Sequence, residues 1–209
     1  MGKIKNIIFD FGVVLINLER ERFLNNFKAI GVKNIESLTG TALHKGVFAD
    51  FELGNISKEE FYNNIISISE YNITPKDVEN AWLSMLSDIP KYKLEKLLEL
   101  KSDYNLFLLS NTNELHWDVS ADEMFRLDNY GAEDFFDEIW LSYKLHKMKP
   151  ADDIFEYILN MSGINPEETL FVDDAEANCI TANKYGIKTY QPSAGEDWRE
   201  KIDMILSDY

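Results

Sequence analysis

One cysteine in 209 residues, Cys179, leaves no intrachain disulfide to be made. A chain built without such bonds fits a reducing compartment. Basic residues are scarce too: 21 Lys and Arg stand against 37 Asp and Glu, for a net charge of -16. A surface that negative repels nucleic acid and anionic lipid, so neither is an expected partner. Any anionic substrate then needs a local positive site, made by a metal ion, a lysine or helix N-termini. No apolar run approaches the length that crosses a membrane. Met1-Gly2-Lys3-Ile4-Lys5 opens like the basic region of a signal peptide, but the apolar stretch behind it stops at Asp10, too short for one. Asn6 stands where a myristoylation signal carries Ser or Thr. Repeats and low-complexity tracts are absent. The expectation is a soluble, cytoplasmic protein; its oligomeric state is not legible, and a monomer is compatible with the chain.

What the chain does have is apolar material, 45% of residues, enough for a full core and against disorder. Five short β-rich apolar runs stand out: Lys5 to Phe9, Asn105 to Leu109, Glu138 to Leu141, Thr169 to Val172 and Ile187 to Tyr190. In the C-terminal half they alternate with helical patterns. Pro150 opens one helix and Gly163 follows it; Ala175 to Tyr185 forms another, closed by Gly186. That alternation predicts a parallel sheet covered on both faces.

From about Leu18 to Leu100 no run reads as a strand. Apolar residues recur there at helical spacing, as in Phe61, Ile65, Ile66 and Ile68 or Leu94, Leu97 and Leu98. Ser57-Lys58-Glu59-Glu60 is a capping-box pattern that starts a helix after the turn Gly54-Asn55. A helical block this long exceeds an ordinary crossover connection. The predicted fold is therefore α/β: a Rossmann-like parallel sheet core, residues 1–17 and 101–209, with a small inserted helical cap at 18–100. The last helix of that insert, near Lys91 to Lys101, returns to the sheet.

Four of the strand ends carry polar groups: Asp10, Ser110-Asn111, Lys149 before Pro150, and Asp173-Asp174. The C-terminal ends of parallel strands share one edge, so these groups converge although far apart in sequence. Asp10 read alone is either a turn cap or a nucleophile and metal ligand. The four ends together supply a carboxylate nucleophile, a hydroxyl with backbone amides, an ammonium and a pair of metal-binding carboxylates. Such a set suits a phosphoryl group, whose charge must be neutralised and whose oxygens must be held for in-line attack. Asp152-Asp153 reads differently, as acids in the first turn of a helix. Lys144 and Lys147 read as solvated charges, and His44 and His146 as surface or cap histidines.

Asp10-Phe11-Gly12-Val13-Val14, Leu109-Ser110-Asn111-Thr112-Asn113, Lys149-Pro150 and Phe171-Val172-Asp173-Asp174 resemble, in order and spacing, the four motifs of the haloacid dehalogenase (HAD) superfamily. The helical block resembles that family's small inserted cap. Phe51-Glu52-Leu53-Gly54-Asn55-Ile56-Ser57, His116 after Ser110-Asn111-Thr112-Asn113, and Leu141-Ser142 look like its α-D-glucose-1-phosphate phosphatase branch. The resemblance implies that Asp10 becomes an aspartyl-phosphate, and that Asp10, the Gly12 carbonyl and Asp174 hold Mg²⁺ with Asp173 behind them. It also implies that Ser110 and the Asn111 amide bind phosphoryl oxygens, that Lys149 bridges them to Asp10, and that His116 contacts substrate.

Position 12 departs from most phosphatases of the superfamily, which carry there a second aspartate as general acid and base; the resembled branch also has glycine. A positioned acid/base is worth roughly 10²–10⁴-fold. A water, Glu52 or His116 are the candidates to replace it. The expected activity is Mg²⁺-dependent hydrolysis of a small phosphorylated metabolite, a sugar phosphate and preferably a sugar 1-phosphate. Two alternatives compete. A 2-haloacid dehalogenase also lacks the second aspartate but needs no metal, so Asp173-Asp174 speaks against it. A non-catalytic binder of phosphorylated ligands or partners would rest on Gly12 and Val13.

Overall fold

The computed structural model describes residues 3–38 and 46–208. His44 lies outside them. Five strands form one parallel sheet in the order β3-β2-β1-β4-β5: β1 (Asn6–Phe9), β2 (Asn105–Ser110), β3 (Glu138–Leu141), β4 (Thr169–Val172) and β5 (Lys188–Tyr190). Each predicted run is a strand, displaced by at most one residue at either end.

The helices are α1 (Arg20–Ala29), α2 (Ile35–Leu38), α3 (Val47–Glu52), α4 (Lys58–Ile68), α5 (Pro75–Leu83), α6 (Lys91–Lys101), α7 (Glu114–Val119), α8 (Ala132–Phe135), α9 (Ser142–Leu145), α10 (Asp152–Ser162), α11 (Glu176–Lys184) and α12 (Arg199–Ser207). None among the described residues is long and apolar enough to cross a membrane.

The strands are apolar throughout because both faces are covered. Ile7, Phe9, Leu106, Leu108, Leu170 and Val172 point into one core, with Leu94 and Leu97 of α6 and Ile202 of α12. The residues between them, Ile8, Phe107, Leu109 and Phe171, point the other way onto Ile154, Phe155 and Ile158 of α10 and Ala182 of α11. Period-two side-chain alternation on a doubly covered sheet requires this.

Between β1 and β2 the described residues contain no strand longer than an isolated bridge. Helices α1 and α3–α5 make their own core from Phe23, Phe27, Phe48, Phe51, Phe61, Ile65, Val78 and Trp82, joined by Leu115 of α7. Ser57 and Glu60 form the expected capping box, Ser57 N–H donating to Glu60 Oε2 at 2.8 Å and Glu60 N–H to Ser57 Oγ at 3.2 Å. Ile68 differs from the expected apolar stripe: it is the last residue of α4 and is 46% exposed. The two linkers that connect the block to the sheet run side by side, with Asn17 N–H donating to Asp88 O, Ser87 N–H to Asn17 O and Glu19 N–H to Met85 O. Helix α6 packs on the sheet, as a returning helix should.

Candidate active site

β1 lies at the centre of the sheet. The chain leaves it toward β2 on one side and later returns to β4 on the other, so the crevice at the C-terminal ends of β1 and β4 is the switch point where such sheets bind ligands. Asp10 extends β1 by one more ladder bond, its N–H donating to Val172 O at 2.8 Å. Asp173 and Asp174 follow β4 on the same edge. The register that pairs Phe9 with Leu108 brings Ser110, buried at the end of β2, to that edge as well.

Lys149 completes the cluster, but from the loop before α10 and not, as expected, from a strand end, since α9 separates it from β3. Its Nζ donates to Asp10 Oδ1 at 2.7 Å and to Asp173 Oδ2 at 2.6 Å, with the lysine only 1% exposed. Its backbone is gripped by Asn111: Lys149 N–H donates to Asn111 Oδ1 at 2.9 Å, and Asn111 Nδ2 donates to Lys149 O at 2.8 Å. Burial works against the Lys149 charge, but attraction to Asp10 and Asp173 outweighs it and holds the ammonium firmly protonated. Burial raises the Asp10 carboxyl well above the usual carboxylate range; Lys149 opposes the rise, while Asp173 and Asp174 add to it. Asp174 is raised by burial and then by Asp173.

The two adjacent acids have different surroundings. Asp173 is fully buried and saturated with donors: besides Lys149, its Oδ1 accepts from Ala175 N–H and Asn178 Nδ2, both at 2.9 Å. Asp174 is half-buried, and neither Lys149 nor Asn178 donates to its carboxylate as they do to Asp173. One oxygen from each of Asp10, Asp173 and Asp174 lies within 4.8 Å of the others. Three carboxylates against one ammonium leave two negative charges unbalanced. This is an oxygen donor set of the kind a hard divalent cation takes, so the residues fit a metal.

Gly12 sits in a tight turn, Val14 N–H donating to its carbonyl at 2.6 Å, and Val13 adopts φ +64°. A Cβ built on Gly12 would meet only Leu18 Cδ1 at 3.5 Å, ordinary contact. Sterics do not demand glycine there.

His116 lies apart from this cluster, at the seam between α5 and α7. Its ring stacks on Trp82 with centroids 4.7 Å apart, Nε2 lies 3.0 Å from Trp82 O, and only 7% of the residue is exposed. The Trp82 indole in turn donates to Asn113 Oδ1 at 3.1 Å, which also caps α7 by accepting from His116 N–H. Glu52, at the end of α3, has its carbonyl held by Ser142 Oγ at 2.6 Å, and the same hydroxyl accepts from Thr112 N–H at 2.9 Å. Burial pushes the Glu52 carboxyl up to about 7. A cleft of about 330 Å³ opens beside this seam, lined by Phe51, Gly54, Asn55, Ile56, Ser57, Glu114 and Tyr143. It borders the residues that follow Asn113 and Ser142, and Asp10 does not line it.

Sequence reasoning missed Asn178, the partner of Asp173. Its position five residues after Asp173, in the first turns of α11, was the available signal. It did not anticipate how Trp82 and Lys93 are used.

The fold and the three converging strand ends, with Lys149 from its loop, define a hydrolase class, and the chain belongs to it: residues 7–191 match the haloacid dehalogenase-like hydrolase family. It is 32% identical over 204 residues to the D-ribitol-5-phosphate phosphatase of Bacteroides thetaiotaomicron, covering 98% of this chain and 99% of that one. A HAD family enzyme from the same organism, crystallised in complex with magnesium and inorganic phosphate, is 43% identical with a TM-score of 0.90, covering 95% of this chain and 98% of that one. A HAD-like family hydrolase from Porphyromonas gingivalis is 40% identical with a TM-score of 0.91, covering 98% of each chain. The L-2-haloacid dehalogenase of Xanthobacter autotrophicus, 14% identical with a TM-score of 0.62, shares the fold.

Proposed function

We propose that this protein is a Mg²⁺-dependent phosphatase of small phosphorylated carbohydrates that works through an aspartyl-phosphate. The observation that carries this reading is Lys149 bridging Asp10 and Asp173 inside an acidic triad whose oxygens lie within 4.8 Å. Asp10, Asp174 and the Gly12 carbonyl would hold the ion, with Asp173 behind them keeping Lys149 and Asn178 in place. When bound, Mg²⁺ offsets the charge of the acidic cluster and of the phosphoryl group.

An Asp10 carboxylate oxygen attacks phosphorus in line, and the bond from phosphorus to the leaving oxygen breaks. Ser110, the Asn111 amide and Lys149 hold the equatorial oxygens, and water then cleaves the aspartyl-phosphate to regenerate Asp10. The helical block, residues 18–100, serves as the cap. The cleft at its seam suits a small molecule, and the acidic surface argues against nucleic acid or membrane as partner. We place the protein in the cytoplasm and read it as compatible with a monomer.

The finer reading is a preference for sugar 1-phosphates. Gly12 offers no acid to protonate the leaving oxygen, so leaving groups that tolerate negative charge should depart best, and an anomeric hydroxyl is more acidic than an ordinary alcohol. A second reading, the terminal phosphate of an acyclic polyol, is favoured by the ribitol-5-phosphate phosphatase relative. It requires a proton from elsewhere, and Glu52 with its raised carboxyl is the cap group suited to supply it.

The test is kcat/KM for glucose 1-phosphate, glucose 6-phosphate and ribitol 5-phosphate, with and without Mg²⁺, and with Asp10→Asn as control. Turnover that needs both Mg²⁺ and Asp10 supports the proposal, and the order of the three substrates chooses between the finer readings. Turnover of 2-chloropropionate without metal would make the protein a dehalogenase. Tight phosphate binding without any turnover would make it a binder.

A further inference from the structure

Lys93, on α6, is 1% exposed, yet it has no carboxylate partner among the described residues. Its Nζ donates instead to two backbone carbonyls, Val14 O at 2.7 Å and Leu15 O at 3.3 Å. Burial lowers its proton affinity, with Asp197 and then Asp88 opposing from a distance. The Val14 carbonyl has a second donor, Trp198 Nε1 at 2.8 Å, from the start of α12 and itself 1% exposed. Two buried donors from elements 79 and 184 residues away thus converge on one carbonyl.

That carbonyl belongs to the turn that follows Asp10. Within it Val14 N–H donates to Gly12 O at 2.6 Å, Leu15 and Ile16 N–H both donate to Phe11 O at 3.0 Å, and Val13 holds a left-handed φ of +64°. A β-branched residue rarely adopts that conformation unless its neighbours enforce it. An ammonium buried without a carboxylate is a costly way to fill space, and an apolar side chain of the same length would pack there more cheaply. Stability alone therefore does not account for Lys93.

We infer that Lys93 and Trp198 are positioning residues for the metal, clamping the Val14 carbonyl so that the turn presents the Gly12 carbonyl toward Asp10 and Asp174. The inference rests on the reading of Gly12 O as a metal ligand. Lys93 touches neither substrate nor reacting atoms; it acts through the peptide units of residues 12–15. It also lies just beyond the 85–88 linker, so the clamp joins the nucleophile turn to the root of the cap.

The test is calorimetric Mg²⁺ binding to the unmodified protein, the Lys93→Met and Trp198→Phe variants, and Asp174→Asn as a control for the metal site. Supporting groups behind metal ligands are typically worth 10–100-fold in affinity. Lys93→Met should therefore weaken Mg²⁺ roughly tenfold, and Trp198→Phe in the same direction by about threefold, since each removes one of two donors. The urea midpoint of Lys93→Met should not fall, and saturating Mg²⁺ should return kcat to within about twofold with KM for the phosphate ester unchanged. A lowered midpoint with unchanged Mg²⁺ affinity would show a merely structural lysine and overturn the inference. If Lys93→Met does not fold, Trp198→Phe decides: weakened Mg²⁺ binding supports the clamp and unchanged binding refutes it. Unchanged affinity in Asp174→Asn would locate the failure in the metal assignment rather than in the clamp.

Discussion

Gly54→Ala probes how the helical block between β1 and β2, the proposed cap, is held on the sheet side. Gly54 lies two residues beyond α3 at φ +67°, where alanine costs about 1 kcal/mol more than glycine. The larger penalty is contact: a Cβ there would stand 2.2 Å from Tyr143 O, 3.1 Å from its carbonyl carbon and 3.3 Å from His146 Cε1. Backbone cannot swing aside as a side-chain tip can, so the 52–54 segment must retreat by about 1 Å to reach ordinary contact distance. Two hydrogen bonds cross the same seam, Ser142 Oγ to Glu52 O at 2.6 Å and His146 Nδ1 with Leu53 O at 2.9 Å. Each is worth about 0.5–1.5 kcal/mol and would be stretched or broken. With the left-handed strain, the expected loss is about 2–4 kcal/mol of cap docking. The assays are urea unfolding and steady-state kinetics on the preferred phosphate ester: a lower midpoint, a raised KM and near-normal Mg²⁺ affinity are expected. A variant with the unmodified protein's midpoint and KM would refute the claim that this segment clasps cap to core.

His116 should make stability depend on acidity, because burial drops its pKa from 6.5 to about 4. The unfolded chain then binds the proton more readily, so this stability is complete above pH 6.5 and is lost as pH falls toward 4. The loss is about 3 kcal/mol at roughly 1.4 kcal/mol per pH unit, and His116→Gln should flatten that limb of a stability–pH curve; an unaltered slope would assign it to other groups. The two adjacent acids should separate by variant. Asp174→Asn should leave the urea midpoint nearly unchanged while raising the Mg²⁺ concentration needed for activity. Asp173→Asn should instead destabilise by about 3–5 kcal/mol, because buried Lys149 loses half its compensation. Equal midpoints for the two variants would contradict the division of labour drawn from their hydrogen bonds.

The strands were legible because their apolar runs are short and bounded by turn residues, and residues buried on both faces cannot be anything but apolar. The helical insert announced itself by period and by the Ser57–Glu60 box, both local signals. Asp10, Ser110 and Asp173-Asp174 could be placed at one edge from topology alone, since parallel strands end together, whereas Lys149 reaches that edge from the loop after α9, which strand order does not fix. Ile68 shows the limit of periodicity: the apolar stripe runs on to the helix terminus, and only the packing shows that nothing covers it. What tertiary structure alone decided are pairings across long separations between residues of ordinary type. The Trp82 indole on Asn113, and Lys93 with Trp198 on the Val14 carbonyl, carry no local pattern. A hydrogen bond is set by where two groups meet in space, and the spacing of residues along the chain does not encode that meeting.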